Sequence, residues 1–178
     1  MPARFEINDI AAIVCGLFGT GAPATRVLST GDLAPEFELR DQHGEIRRLT
    51  DSRGCWTVLY FYPRDDSPGC TKEARSFRDG IETLRGMEVE LFGVSTDSVE
   101  SHVAFARKYD LPFPLLSDPD GATAKAYGAY RNLGVLSFAR RQTFLVDPTG
   151  RIARIYRSVD ARRHCAQVIT DLKALREM

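Results

Sequence analysis

Residues 57–74 read TVLYFYPRDDSPGCTKEA. The first six, Thr57 to Tyr62, are an unbroken run of β-branched, aliphatic and aromatic side chains. That is the pattern of a strand buried on both faces, and it belongs in the middle of a sheet. Pro63 to Gly69 is a loop by composition. Beyond it Ala74, Phe77, Ile81 and Leu84 recur at helical spacing until Gly86, where a glycine ends the helix. A buried strand, a loop and an amphipathic helix open an α/β unit, and Cys70 stands where the loop becomes helix. In open α/β sheets ligands gather at the carboxyl ends of strands, where a helix N-terminus offers free N–H groups and positive potential.

Outward from this unit the same alternation continues. Val89 to Ser95 is the next strand, and Val99, Val103 and Ala106 mark a helix that must stop by Leu111-Pro112, since a proline excludes helix for its predecessor. A short strand at Leu115-Leu116, a turn at Asp118 to Gly121 and a helix toward Tyr127 follow. Thr143 to Val146 and Ile152 to Tyr156 flank the turn Asp147-Pro148-Thr149-Gly150 as a hairpin. In the closing helix Cys165, Val168, Ile169, Leu172 and Leu175 share one face. Upstream, Phe37 to Arg40 and Ile46 to Leu49 form a second hairpin around Asp41 to Glu45. The expected fold is α/β, a mixed sheet with helices on both faces and an N-terminal β-hairpin.

A chain of 178 residues, 43% apolar and 27% charged, buries one sizeable core without staples. We read one domain over residues 31–178. Lys plus Arg equals Asp plus Glu at 24 each, so no net field draws the chain to nucleic acid or to an anionic membrane. Partners must be recognised locally.

Residues 1–30 form an N-terminal extension with two readings. Ile7, Ile10, Ile13, Val14, Leu17 and Phe18 fall at helical spacing, as in a helix that docks on the body or on a second subunit. The alternative is export: Ala22-Pro23-Ala24 has the form of a signal-peptidase site after an apolar run. Against it, Arg4 is offset by Glu6 and Asp9, and the run is too short to span a bilayer. The first reading keeps the protein in the cytoplasm.

The four cysteines, Cys15, Cys55, Cys70 and Cys165, stand alone, with no Cys-x-x-Cys and no clustered histidine. This supports neither a zinc site nor a disulfide framework, and it suits a reducing compartment in which an isolated cysteine is core packing or a chemical tool. A free thiol of pKa about 8.5 is only a few per cent thiolate at neutral pH, and helix N-termini and nearby cations raise that fraction. Ser67 can bring a hydroxyl to the same pocket, and the ring of Pro63, without an N–H, can shield a thiolate from water. On these residues alone, a reactive centre and an incidental helix-capping cysteine are both open.

Pro63-x-x-x-Ser67-x-x-Cys70 resembles the Pro-x-x-x-Thr/Ser-x-x-Cys signature of the peroxiredoxins, and residues 61–74 look like the peroxiredoxin Q group, also called bacterioferritin comigratory proteins. Residues 105–128 and 142–150 are similar too, so the resemblance runs over roughly residues 31 to 175. It implies a thioredoxin-like fold and reduction of hydrogen peroxide and organic hydroperoxides, with no metal, haem, flavin or other cofactor. Cys70 would be the peroxidatic nucleophile, with Pro63 and Ser67 around it. Arg141 resembles the arginine whose guanidinium reaches the thiolate and the peroxide.

The chain departs from the group where a resolving cysteine is expected. Five residues after Cys70 stands Arg75, and Val103 to Tyr109, the second position used in the group, holds no cysteine. Cys165 and Cys55 read as core residues, which leaves Cys15 as the candidate resolving thiol within the chain. A one-cysteine mechanism, with thioredoxin, glutaredoxin or a small thiol as reductant, is the expectation, in a monomer or a homodimer. A thiol-disulfide oxidoreductase on the same fold is disfavoured by Cys70-Thr71-Lys72-Glu73 in place of Cys-x-x-Cys. A holdase with a vestigial pocket is disfavoured by the intact set of Pro63, Ser67, Cys70 and Arg141. A peroxide sensor that passes oxidation to a partner needs the same reactive thiolate, so these residues suit it as well.

Overall fold

A computed structural model describes residues 27–177; the docking-helix and signal-peptide readings and the candidate resolving Cys15 lie outside the described residues. Among the described residues the main sheet has seven strands, in the spatial order Ile46–Arg48 (β2), Glu38–Asp41 (β1), Leu115–Ser117 (β5), Val89–Ser95 (β4), Trp56–Phe61 (β3), Gln142–Val146 (β8) and Ile152–Tyr156 (β9). Its centre is β3 (Trp56–Phe61), the run predicted from sequence, flanked by β4 (Val89–Ser95) in parallel and by β8 (Gln142–Val146) antiparallel. Outside β4 lies β5 (Leu115–Ser117), also parallel, and the hairpin of β1 (Glu38–Asp41) and β2 (Ile46–Arg48) extends the sheet antiparallel to β5. At the other edge β9 (Ile152–Tyr156) pairs with β8.

Because side chains alternate across a strand, β3 feeds two cores. Val58, Tyr60 and Tyr62 meet α1 (Pro68–Gly86), α2 (Val99–Tyr109) and α4 (His164–Arg176) on one face. Leu59 and Phe61 meet Phe92, Phe144 and the short α3 (Ala122–Ala126) on the other. Phe77 and Leu84 of α1 are fully buried at the predicted helical spacing, each worth about 1.5–3 kcal/mol of transfer free energy. Helix α2 starts at Ser98, whose hydroxyl accepts the Ser101 N–H at 3.3 Å, and ends at Asp110 with φ of 51°. The leucine-proline pair that follows permits no further turn.

Two features differ from the sequence expectation. Helix α1 begins at Pro68 rather than after Gly69, since proline is preorganised for the first helical position, where its missing N–H costs nothing. A separate ribbon of β6 (Tyr130–Asn132) and β7 (Ser137–Ala139) was not expected at all. Its tip carries the exposed Leu133, Val135 and Leu136.

Candidate active site

Strand β3 ends at Phe61 and the chain turns through Pro63 to Ser67 into α1. Ser67 is the N-cap residue and Pro68 the first helical position. The helical ladder starts with the Thr71 N–H, which donates to the Ser67 carbonyl at 2.8 Å. The N–H groups of Gly69 and Cys70 therefore precede that ladder, and the positive end of the helix lies at Cys70. The cysteine is 1% exposed.

Arg141 immediately precedes β8. The antiparallel register sets Gln142 opposite Phe61, so the start of β8 lies beside the end of β3. This carries Arg141 across 71 residues of sequence to Cys70, where its Nη2 donates to Sγ at 3.3 Å. Its Nη1 forms an ion pair with Oε2 of Glu73, a fully buried carboxylate one helical turn beyond Cys70. Gly69 permits the approach: a Cβ there would stand 3.0 Å from Arg141 Nη2.

The surroundings are buried, and burial is the main cause of the shifted titratable groups among them. Burial raises the Glu73 carboxyl to about 7, against the opposing pull of Arg141. Burial, then the charges of Glu73 and Cys70, keep the Tyr60 phenol protonated; its ring stacks on Tyr62 and Phe77. His164, at the start of α4, bonds through Nε2 to Thr143 Oγ1 at 2.7 Å. Burial and then the Arg141 charge lower it to about 4, so a neutral ring sits beside the guanidinium.

A second buried cluster holds the loop itself. Asp65 accepts from Tyr62 Oη at 2.8 Å, from Ser101 Oγ at 2.7 Å and from His102 Nδ1 at 2.8 Å. A carboxylate only accepts, so Nδ1 carries the proton. The Asp65 N–H donates to Asp97 Oδ2 at 2.8 Å. The segment from Pro63 to Ser67 is thereby tied to β3, to α2 and to the turn before α2.

Pro63, Ser67 and Cys70 thus share one loop-helix junction, and Arg141 joins them. Ser67 Oγ donates to the Arg64 carbonyl at 3.1 Å rather than to the sulfur, and Pro63 is half-buried. Glu73, His164 and the Asp65–His102 pair were missed from sequence. The available signal for Glu73 was its place on the Cys70, Ala74 and Phe77 face of the helix, where a carboxylate is out of keeping.

Among the described residues the other two cysteines, Cys55 and Cys165, are apart from this site. Cys55 precedes β3 and Cys70 follows it, so a strand of six residues, about 20 Å, separates them. Cys55 lines a depression of about 390 Å³ with Leu91 and Pro114 at the opposite end of the sheet. Cys165 is buried against Gly80 of α1, and burial followed by the Asp79 charge raises its thiol to about 11.

Comparison with known proteins points to one family. Residues 30–155 match the model of the AhpC/TSA family. The peroxiredoxin Bcp of Bacillus subtilis is 40% identical over 154 residues, covering 84% of this chain and 98% of the relative. The chloroplastic peroxiredoxin Q of Oryza sativa subsp. japonica is 39% identical over 179 residues, 98% of this chain and 77% of the relative. Among solved structures, the peroxidoxin BcpB of Mycobacterium tuberculosis superposes with a TM-score of 0.78 at 35% identity, over 83% of this chain and 97% of that one. A bacterioferritin comigratory protein of Xanthomonas campestris, whose structure is described in terms of alkyl peroxide reduction, superposes at 0.73 with 34% identity, over 78% of this chain and 90% of that one.

Proposed function

The chain belongs to the AhpC/TSA family, in its peroxiredoxin Q and Bcp branch, and from that premise we propose that it is a thiol peroxidase whose nucleophile is Cys70. The observation that carries the residue assignment is the Arg141 guanidinium donating to a buried Cys70 sulfur at 3.3 Å. The same cation suits both the anionic sulfur before attack and the peroxide oxygen on which charge develops during it.

The Cys70 thiolate attacks the terminal oxygen of hydrogen peroxide or an organic hydroperoxide. The O–O bond breaks, an S–O bond forms, and the departing hydroxide or alkoxide takes a proton from solvent and leaves as water or an alcohol. Arg141 orients the peroxide and stabilises the departing oxygen. Glu73 holds the guanidinium through Nη1 while Nη2 serves the sulfur. Pro63 closes the pocket against water, and Ser67 supplies a hydroxyl that can turn from the Arg64 carbonyl toward the peroxide.

Reduction of the resulting sulfenic acid falls to an external thiol in a one-cysteine cycle. Neither Cys55, a strand length away, nor Cys165, packed into the helix interface, is placed to resolve Cys70. Such a cycle runs in a reducing compartment such as the cytoplasm.

Replacing Cys70 by Ser should abolish peroxide turnover, and full activity in that variant would sink the assignment. Peptide mapping after one equivalent of hydrogen peroxide should recover Cys70 as sulfenic acid. An intrachain disulfide from Cys70 to Cys15, Cys55 or Cys165 would reject the one-cysteine cycle.

A further inference from the structure

Arg64, Asp65, Asp66 and Ser67 make the turn that delivers the chain to α1. Asp66, the third of them, stands at φ of 55°, an uncommon backbone setting for a residue with a side chain. Its carboxylate is held by Lys108 Nζ at 2.6 Å and by Tyr109 Oη at 2.5 Å. The peptide unit between Arg64 and Asp65 is engaged on both sides. Its N–H, on Asp65, donates to Asp97 Oδ2 at 2.8 Å, and its carbonyl, on Arg64, accepts from Ser67 Oγ at 3.1 Å. In a trans peptide the two groups point in opposite directions from one rigid plane. The Asp97 carboxylate therefore sets the direction of the carbonyl on which the Ser67 hydroxyl rests.

Asp97 is itself fixed from the sheet. The fully buried Ser95, at the end of β4, donates from Oγ to the same Oδ2 at 2.7 Å, and the Asp97 N–H donates back to that oxygen at 3.1 Å. The Ser117 hydroxyl, at the end of β5, donates to the Asp97 carbonyl at 2.7 Å. The start of α2 does not call on the Asp97 side chain, since Ser98 is the N-cap there. One carboxylate thus joins the ends of two parallel strands to a single peptide of the Cys70 loop.

Building on the peroxidase reading, we infer that Asp97 is a positioning residue of the peroxide site: through the Arg64–Asp65 peptide it presets the Ser67 hydroxyl for the peroxide. It acts at one remove from the sulfur. What a hydroxyl can do for a reacting peroxide depends on where its oxygen starts, and a misplacement of about 1 Å can slow a reaction about a hundredfold. Without the Asp97 carboxylate the peptide plane is free to rotate, and the Arg64 carbonyl and the Ser67 hydroxyl turn with it.

Two reagents separate positioning from general loosening. Hydrogen peroxide must be oriented to react, whereas iodoacetamide reads only the thiolate and its accessibility. Single-turnover oxidation of Cys70 by hydrogen peroxide and its alkylation by iodoacetamide are followed by peptide mapping of the full-length protein. The proteins compared are the parent, Asp97→Ala, Asp97→Asn, Ser67→Ala and the Asp97→Ala/Ser67→Ala double variant. Asp97→Ala should slow oxidation about tenfold, the usual effect of one lost hydrogen bond, and leave alkylation no slower than in the parent. Asp97→Asn keeps an acceptor and should bring oxidation back to within about threefold of the parent. In the Ser67→Ala background, Asp97→Ala should slow oxidation less than about twofold further, because its route to the site is gone. Additive effects in the double variant, equal slowing of both reagents, or a parent-like oxidation rate in Asp97→Ala or Ser67→Ala would overturn the inference. Should Asp97→Ala not fold, Ser95→Ala, which removes the hydroxyl anchoring Oδ2, takes its place in the same cycle and under the same criteria. A parent protein whose Cys70 takes up no oxygen would instead bring down the peroxidase reading, and this inference with it.

Discussion

Arg141 uses its two terminal nitrogens for two different partners, the Cys70 sulfur and the Glu73 carboxylate. A lysine would keep the charge but not the fixed fork, because an ammonium on a flexible stem cannot span both. Arg141→Lys should therefore slow single-turnover oxidation of Cys70 by hydrogen peroxide about a hundredfold, the usual cost of losing one oriented donor to developing charge. A rate within twofold of the parent would remove Arg141 from the chemistry. Gly69→Ala, which crowds Nη2 at 3.0 Å, should slow the same step less. At this scale the sequence was informative only where the site is contiguous. Pro63, Ser67 and Cys70 lie on one short string, and their spacing could be read directly. Arg141 stands 71 residues away and came from resemblance. Nothing local marks Arg141 off from Arg140; only the pairing of β8 with β3 does. His102 and His164 were not singled out in the sequence, because their partners Asp65 and Thr143 lie 37 and 21 residues away.

Among the elements, α1 carries the site and α4 backs it. Their axes approach closely at Gly80, where a Cβ would stand 2.4 Å from Cys165 Sγ and 3.6 Å from Ile169 Cδ1. Alanine improves helix propensity by roughly 1 kcal/mol over glycine, whereas overpacking a rigid interface costs about 1–3 kcal/mol. The clash is with a buried sulfur rather than a mobile chain end, so the second effect wins. Gly80→Ala should lower unfolding free energy by up to about 2 kcal/mol, and adding Cys165→Ala should return most of it. Denaturant titration of the two single variants and the double variant measures the coupling; strictly additive values would show that the contact is not tight. Periodicity was enough to find both helices, because each buries an apolar stripe. The ribbon of β6 and β7 offered no such signal: its residues are largely exposed, and hydrophobic alternation appears only where one face of a strand is buried. Strand β3 was the clearest element for the opposite reason, being buried on both sides.

For the molecule as a whole, the two titrating neighbours of Arg141 pull stability in opposite directions. Glu73 has its carboxyl raised to about 7 by burial. Between the ordinary carboxyl value and that figure the folded protein holds a proton the unfolded chain has lost, so this contribution grows on acidification and is lost as pH rises through about 7. His164 is lowered to about 4 by burial and by the Arg141 charge. From the ordinary imidazole value down to that figure the unfolded chain binds the extra proton, so its contribution is present at neutral pH and is lost on acidification. From about pH 4.5 to 6.5 the two terms nearly cancel, and these groups leave the parent protein's stability almost flat. Glu73→Gln removes one of them, and its unfolding free energy should fall toward acid with a slope of about 1.4 kcal/mol per pH unit, the value for one proton. His164→Gln removes the other and should show a slope of opposite sign, whatever its stability at neutral pH. Denaturant unfolding of the three proteins at half-unit intervals over this range reads the slopes directly. Parallel profiles would mean that neither side chain titrates as its burial beside Arg141 requires.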